Sequence, residues 1–299
     1  MYDFIGDIHG HADSLELLLQ KLGYEKSDGV YAHPKRKVFF LGDFIDRGPK
    51  IKETLQIAKS MVDAGNALSV MGNHEYNAIA FHTKDNFGNY LRSHSDKNTN
   101  QHRETLSQFD GDKAELEMYI QWFKTLPIFY EDESCRVVHA CWDAENIELL
   151  KQKLNGNVIQ DDSFQDILDK NNVCHKAVEE SLKGKELSLP ADIFFSDKDG
   201  TKRSEIRIKW WEDAKENTYR SYGVHFDENI PELTIENAFS FYPYEDKPVF
   251  FGHYWLTGAP KILKENICCL DYSIAKDGQL IAYRFHNEEK LTSDHIVFV

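Results

Sequence analysis

The chain has 299 residues, of which 41% are hydrophobic and 28% charged, and a formal net charge of −15. At roughly 150 residues per domain this is one or two domains with an unstapled core, which excludes collagen-like, low-complexity and wholly disordered classes. So acidic a surface repels nucleic acid and anionic membranes, and a polyanionic substrate would need a local positive centre such as bound metal ions.

Met1 to Asp7 lacks the basic start and apolar core of a secretion signal, and no run reaches the roughly 18 apolar residues of a membrane helix. Phe4-Ile5 opens a strand that runs into Gly6-Asp7. Asp13 and Glu16 have capping-box spacing; Leu15, Leu18, Leu19 and Leu22 follow at helical spacing, and Gly23 ends the helix. The pattern repeats: Val38-Phe39-Phe40-Leu41 ends at Gly42-Asp43, and Pro49 starts a helix continued by Ile51, Leu55 and Ala58. A third unit runs from Ala67–Met71 through Gly72-Asn73-His74-Glu75 into a helix ending near Ile79.

Residues 83 to 111 are polar and read as a loop or lid, with His82, His94 and His102 at the surface. A helix over Ala114–Lys124 precedes a hairpin whose second strand leads to His139. Residues 145 to about 225 read as a cap-like insertion in a single domain, with helices around Ile147–Leu154 and Phe164–Leu182 and a basic stretch ending in Trp210-Trp211. Those tryptophans read as a packing element before a base-stacking platform. Val249-Phe250-Phe251 ends at Gly252-His253; Ile267–Tyr272 and Gln279–Phe285 read as an antiparallel pair turning at Asp277-Gly278. Cys135, Cys141, Cys174, Cys268 and Cys269 are odd in number and form no C-x-x-C, so they read as reduced thiols of a cytoplasmic protein.

The chemistry lies in five short segments, each after an expected strand: Gly6-Asp7-Ile8-His9-Gly10, Gly42-Asp43-Phe44-Ile45-Asp46-Arg47-Gly48, Gly72-Asn73-His74-Glu75, Val138-His139-Ala140 and Gly252-His253. In open α/β sheets ligands bind beyond the carboxyl ends of strands, so the five should converge. Asp7, His9, Asp43, Asn73, His139 and His253 together make a mixed nitrogen and oxygen set without thiolate. Such a set suits Mn²⁺, Fe²⁺ or Zn²⁺ and is too rich in histidine for a Ca²⁺ or Mg²⁺ cage. Gly6, Gly42 and Gly72 each precede a ligand and are expected to turn tightly with φ > 0.

These segments resemble the calcineurin-like metallophosphoesterase superfamily, and within it the serine/threonine-protein-phosphatase-type branch, which includes bacterial phosphatases and symmetrical dinucleoside-tetraphosphate hydrolases. The resemblance is strong over residues 1–80 and thinner over 135–143 and 249–285. It implies a four-layer α/β/β/α sandwich of two mixed sheets and two divalent ions, Mn²⁺ first, with iron, Zn²⁺ or Co²⁺ as alternatives. It also implies roles by position: Asp7 and His9 bind the first ion, Asp43 bridges, and Asn73, His139 and His253 bind the second. Arg47 would hold a phosphate oxygen, and His74, paired with Asp46, would protonate the leaving group. Tyr254 stands where many phosphodiesterase members have a second His, which favours the phosphatase-type branch. Met71 departs from the Arg found there in eukaryotic members. A later phosphate-binding Arg is sought in Arg203 and Arg207, because Ser196-Asp197 resembles the segment preceding it.

The function expected is metal-dependent hydrolysis of phosphomonoesters of protein or small molecules. The alternatives are a dinucleoside polyphosphate hydrolase, an RNA-end phosphatase or nuclease with the same centre, and, remotely, a scaffold that has lost the chemistry. The partner is a phosphorylated substrate, with no membrane, and the negative charge disfavours an extended nucleic-acid track.

Overall fold

The computed structural model describes residues 1–196, 202–224, 229–235 and 241–299. Among them, two mixed sheets dominate. The first is ordered Asp271–Tyr272, Gln279–Phe285, Tyr2–Ile5, Lys37–Phe40, Ala67–Ser69, with Ile296–Phe298 also pairing Gln279–Phe285. Tyr2–Ile5, Lys37–Phe40 and Ala67–Ser69 run parallel, and Gln279–Phe285 runs antiparallel to Tyr2–Ile5. The second sheet is ordered Ile267–Cys269, Val249–Phe251, Arg136–Val138, Phe129–Glu131, parallel except for the last pair.

Alternation along the strands builds the layers, because successive side chains point to opposite faces. Phe4, Phe39, Val137, Phe250, Cys268 and Phe285 form one buried cluster between the sheets, where Phe4 and Phe250 stack with centroids 3.8 Å apart. Their neighbours Ile5, Phe40, Val138, Phe251 and Cys269 belong to the larger cluster that also takes in Leu15, Leu19, Leu55 and Ile79 from the helices. This is the four-layer helix–sheet–sheet–helix sandwich expected.

The first helix, Ala12–Leu22, buries Leu15, Leu18, Leu19 and Leu22 and ends at Gly23 in the left-handed region. The expected capping box is absent. His11 occupies the N-cap without a side-chain bond, and Asp13 and Glu16 instead pair with Lys50 and Lys26. The second helix starts at Ile51, with Lys50 as N-cap and Pro49 just before it. The 83–111 segment is no open loop: it holds the short helices Asp96–Gln101 and Arg103–Gln108. The helix expected over Phe164–Leu182 is two, Phe164–Leu168 and Val173–Lys183; Asn172, whose side chain accepts from Cys174 N, caps the second. A small separate core of Leu187, Leu189, Ile206, Ile208 and Tyr222 lies in the later part of the 145–225 segment, and Ile230 just beyond it joins the same cluster.

The expected hairpin near residue 277 is half right. Asp271–Tyr272 pairs antiparallel with Gln279–Leu280, but Ile267–Cys269 lies parallel to Val249–Phe251 in the other sheet. The chain crosses between sheets at Leu270, whose N–H donates to Phe251 O.

Candidate metal centre and proton-donor pair

Strand register brings the five segments together. Ile5 stands beside Phe40 and Phe40 beside Ser69, so the loops holding Asp7, Asp43 and Asn73 leave one edge at one level. In the second sheet Phe250 pairs with Val137, which sets His139 and His253 beyond neighbouring strand ends, with ring centroids 5.2 Å apart.

Asp43 sits at the middle. Its Oδ2 lies 3.6 Å from His9 Nε2 and 3.4 Å from His139 Nε2, and its Oδ1 accepts from His74 N at 3.0 Å. Asn73 Oδ1 lies 3.1 Å from His139 Nε2, and Asp7 Oδ2 accepts from His253 N at 3.0 Å. His9 Nδ1 donates to Ile45 O at 2.7 Å and His139 Nδ1 to Leu41 O at 2.6 Å, which leaves each Nε2 as a lone-pair donor facing the cluster. Among the described residues, two groups have ligand atoms within 4.8 Å of one another: His9, Asp43 and His74, and Asp43, His139 and His253.

The donor set fits divalent cations on its own evidence. Asp7 Oδ1, His9 Nε2 and His253 Nε2 are buried and have no hydrogen-bond partner, a costly state for polar atoms unless an ion takes them up. Burial, then Asp271 and Asp43, push the Asp7 carboxyl well up. Burial pushes His9 down to about 4, and burial with Arg207 lowers His253 strongly. Burial and the Asp43 charge raise Glu75 to about 7. These groups carry an excess of buried carboxylate with neutral imidazoles, which a cation relieves.

The glycines work differently from expectation. Gly42 does turn with φ +90°, but Gly72, at φ −91°, does not, and Gly6 is not among the glycines of positive φ. Gly6 is required because a Cβ would come 2.0 Å from Leu270 O, and Gly72 because a Cβ would come 2.3 Å from Asp43 N and Oδ1. The positive φ values belong to His9, Asp43 and His253 themselves, at 47°, 54° and 72°.

Beside the cluster, His74 Nδ1 lies 2.7 Å from Asp46 Oδ2. Burial lowers the His74 imidazole, but the Asp43 and Asp46 carboxylates more than offset this and leave it raised. Arg47 is exposed at the rim, with its guanidinium 5.8 Å from the Trp255 ring. Arg207, on Glu205–Arg207, is half-buried, its Nε buried and unbonded, and its charge acts on His253. Arg203 is exposed on the two-residue strand Lys202–Arg203. Asp197, part of the segment used to seek these arginines, lies outside the described residues.

Two other expectations concern the tryptophans and the outlying histidines. Trp210 and Trp211 are buried against Phe251 and Tyr254, and Trp210 Nε1 donates to Ala140 O at 2.9 Å, so they pack. His11 bonds Ile8 O through Nδ1 and stands outside both donor groups. His102, expected at the surface, is 2% exposed, and its Nδ1 lies 2.6 Å from Asp46 Oδ1; His82 is half-buried, and His94 is at the surface.

Two buried acids carry structural duties that spacing alone does not announce. Glu75 accepts from Asp43 N, Phe44 N and Gly72 N at 2.8, 2.9 and 3.1 Å, pinning the loop that bears Asp43. Asp271 accepts from Trp255 N and Ser273 N and faces Asp7 electrostatically. Glu75 also stands in the first turn of the helix Asn73–His82. Asp271 follows an apolar strand as Asp7 nearly does, which is the signal that could have found it.

A two-sheet sandwich with buried His, Asp and Asn donors at converging strand ends is the architecture of a metallophosphoesterase. Residues 2–254 match the family model described as calcineurin-like phosphoesterase. The chain belongs to this family and is a hydrolase acting on phosphoric esters.

It is 26% identical over 299 residues to the symmetrical bis(5'-nucleosyl)-tetraphosphatase of Buchnera aphidicola subsp. Baizongia pistaciae, covering 96% of this chain and 95% of that one. It is 32% identical over 164 residues to the asymmetrical bis(5'-nucleosyl)-tetraphosphatase PrpE of Bacillus subtilis, covering 54% and 66%. Its fold is like that of a Saccharomyces cerevisiae protein serine/threonine phosphatase, with TM-score 0.51 and 15% identity over 100% of this chain and 78% of that one. No helix among the described residues is long and apolar enough to cross a membrane.

Proposed function

We propose that the chain is a dinuclear-metal hydrolase that cuts a phosphoanhydride of dinucleoside polyphosphates. The observation that carries the metal chemistry is the set of unbonded buried donors on Asp7, His9 and His253 around Asp43. The end-to-end likeness to a symmetrical tetraphosphatase supports the substrate class, and it favours this reading over the phosphomonoester one.

In this reading Asp7, His9 and Asp43 would hold one cation and Asp43, Asn73, His139 and His253 would hold the other, with Mn²⁺ the first choice. Bound there, the pair supplies Lewis acidity that lowers the pKa of water and offsets phosphoryl charge. Arg47 at the rim and Arg207 beside His253 take the remaining phosphate oxygens as fixed cations. His74, with its Nδ1–H fixed on Asp46 and its pKa raised by the Asp43 and Asp46 carboxylates, takes up a second proton at Nε2 and gives it to the departing oxygen.

A nucleotide phosphate is a weak base and leaves with little help, whereas an alkoxide needs the proton. His74→Ala should therefore lower kcat by about 10²–10⁴ on an alkyl phosphate and much less on p-nitrophenyl phosphate or a dinucleoside tetraphosphate. Equal losses on all three would remove His74 from the donor role. The substrate is tested with Mn²⁺ and a panel of dinucleoside tetraphosphate, phosphopeptide and 5′-phosphorylated RNA. The dinucleoside tetraphosphate should show the highest kcat/KM and give two nucleoside diphosphates; a higher value on phosphopeptide would return the phosphatase reading.

A further inference from the structure

The helix Arg103–Gln108 and its N-cap His102 present three side chains to the loop between Asp43 and Ile51. They are His102, Thr105 and Gln108, three residues apart each time, as one helical face requires. His102 Nδ1 and Thr105 Oγ1 both reach Asp46 Oδ1, each at 2.6 Å. Asp46 N in turn donates to Thr105 Oγ1 at 3.2 Å. Gln108 Nε2 donates to Gly48 O at 3.0 Å, and its Oε1 accepts from Ile51 N.

Asp46 itself is strained, with φ +81°. The other end of the line is also filled, since His102 Nε2 lies 3.0 Å from His82 Nε2. Burial and His102 push His82 down to about 4, and the two Nε2 atoms face each other across this contact. His82 sits at the end of the helix Asn73–His82 that starts at the metal centre, which fixes the spacing between His74 and His82.

We propose that His102, with Thr105, is a positioning residue for the His74–Asp46 proton-donor pair, so that the polar 83–111 segment completes the catalytic apparatus. The inference rests on the proposed phosphoesterase role of His74. Asp46 offers one oxygen to His74 and the other to His102 and Thr105. With Oδ1 saturated by two donors, the carboxylate cannot rotate away from His74, and Oδ2 selects the Nδ1–H tautomer of that ring. Removing His102 leaves Oδ1 short of a donor in a buried place and frees the carboxylate to turn.

The test has one readout in the spectrum and one in the rate. In the zinc-loaded full chain, ¹H–¹⁵N spectra of the imidazoles should show protons on Nδ1 of both His74 and His102. In His102→Phe the His74 signal should become a tautomer mixture, and His102→Asn, which returns a donor to Asp46, should restore the single form. Thr105→Val should produce a smaller version of the same change and stands in if the Phe variant does not fold. With Mn²⁺, His102→Phe should lower kcat on phenyl phosphate by roughly 10–100-fold while p-nitrophenyl phosphate is little affected. An unchanged His74 tautomer, or equal losses on the two esters, overturns the inference. If the wild type turns over no phosphoester, the proposed function fails, and the spectra still decide whether His102 positions His74.

Discussion

His9, Asp43, Asp46 and His253 all adopt left-handed backbone at residue types that pay for it. Such conformations cost about 1–3 kcal/mol each and persist where the surroundings over-determine them. Here Glu75 grips the Asp43 turn and Thr105 the Asp46 turn. The fit at Gly252 is as tight: a Cβ there would sit 1.9 Å from Asp7 Oδ1, the atom left for a cation. Gly252→Ala should therefore displace Asp7 and reduce bound metal, measured by elemental analysis after gel filtration, below that of the wild type. Wild-type stoichiometry in that variant would show that Asp7 does not need its present place.

Among the elements, the strand Phe129–Glu131 is tied to its neighbours by charge. Glu131 accepts from Arg136 Nε at 2.8 Å and from Lys151 Nζ at 2.6 Å. Burial works against its ionised form, but Lys151 and Arg136 outweigh it and hold its pKa down to about 2. A carboxyl depressed on folding stabilises above its ordinary value of 4.5 and loses that contribution as the pH falls through about 2. Glu131→Gln should lower stability by about 1 kcal/mol at neutral pH, allowing for solvent screening, and the gap from wild type in urea melts should close as the pH falls below 4.5. A gap independent of pH would assign the loss to packing.

Legibility followed locality. The strands ending at Ile5, Phe40 and Phe251 carry unbroken apolar runs, the helix with Leu15, Leu18, Leu19 and Leu22 a period-3.6 signal, and all stand where those signals put them. The donors proposed for the metal centre come together because each follows such a strand. The His102–Thr105–Gln108 face was not legible, because its order comes from hydrogen bonds to a loop more than fifty residues earlier and a polar segment has no apolar period to report it. The sheet change at Leu270 escaped for a related reason: Ile267 to Leu270 is one apolar run, and nothing within it marks where one sheet is left for the other.

At the scale of the molecule, a chain of net charge −15 buries Asp7, Asp43, Glu75 and Asp271 close together. Cations bound there should stabilise the fold as well as serve the chemistry. At a concentration about a hundred times its dissociation constant, one bound ion adds about 2.7 kcal/mol, so Mn²⁺ should raise the Tm and EDTA should lower it reversibly. A Tm that ignores both would count against a metal centre at these residues.

Tyr2–Ile5 lies between Lys37–Phe40 and Gln279–Phe285, and Gly6 N donates to Ile281 O. The first strand thus has one neighbour near it in the chain and another some 280 residues away, a closure of long entropic reach. Asp7 hangs from that strand and is steadied by His253 N. Asp7 is therefore set in place only once a contact 246 residues further along the chain has formed.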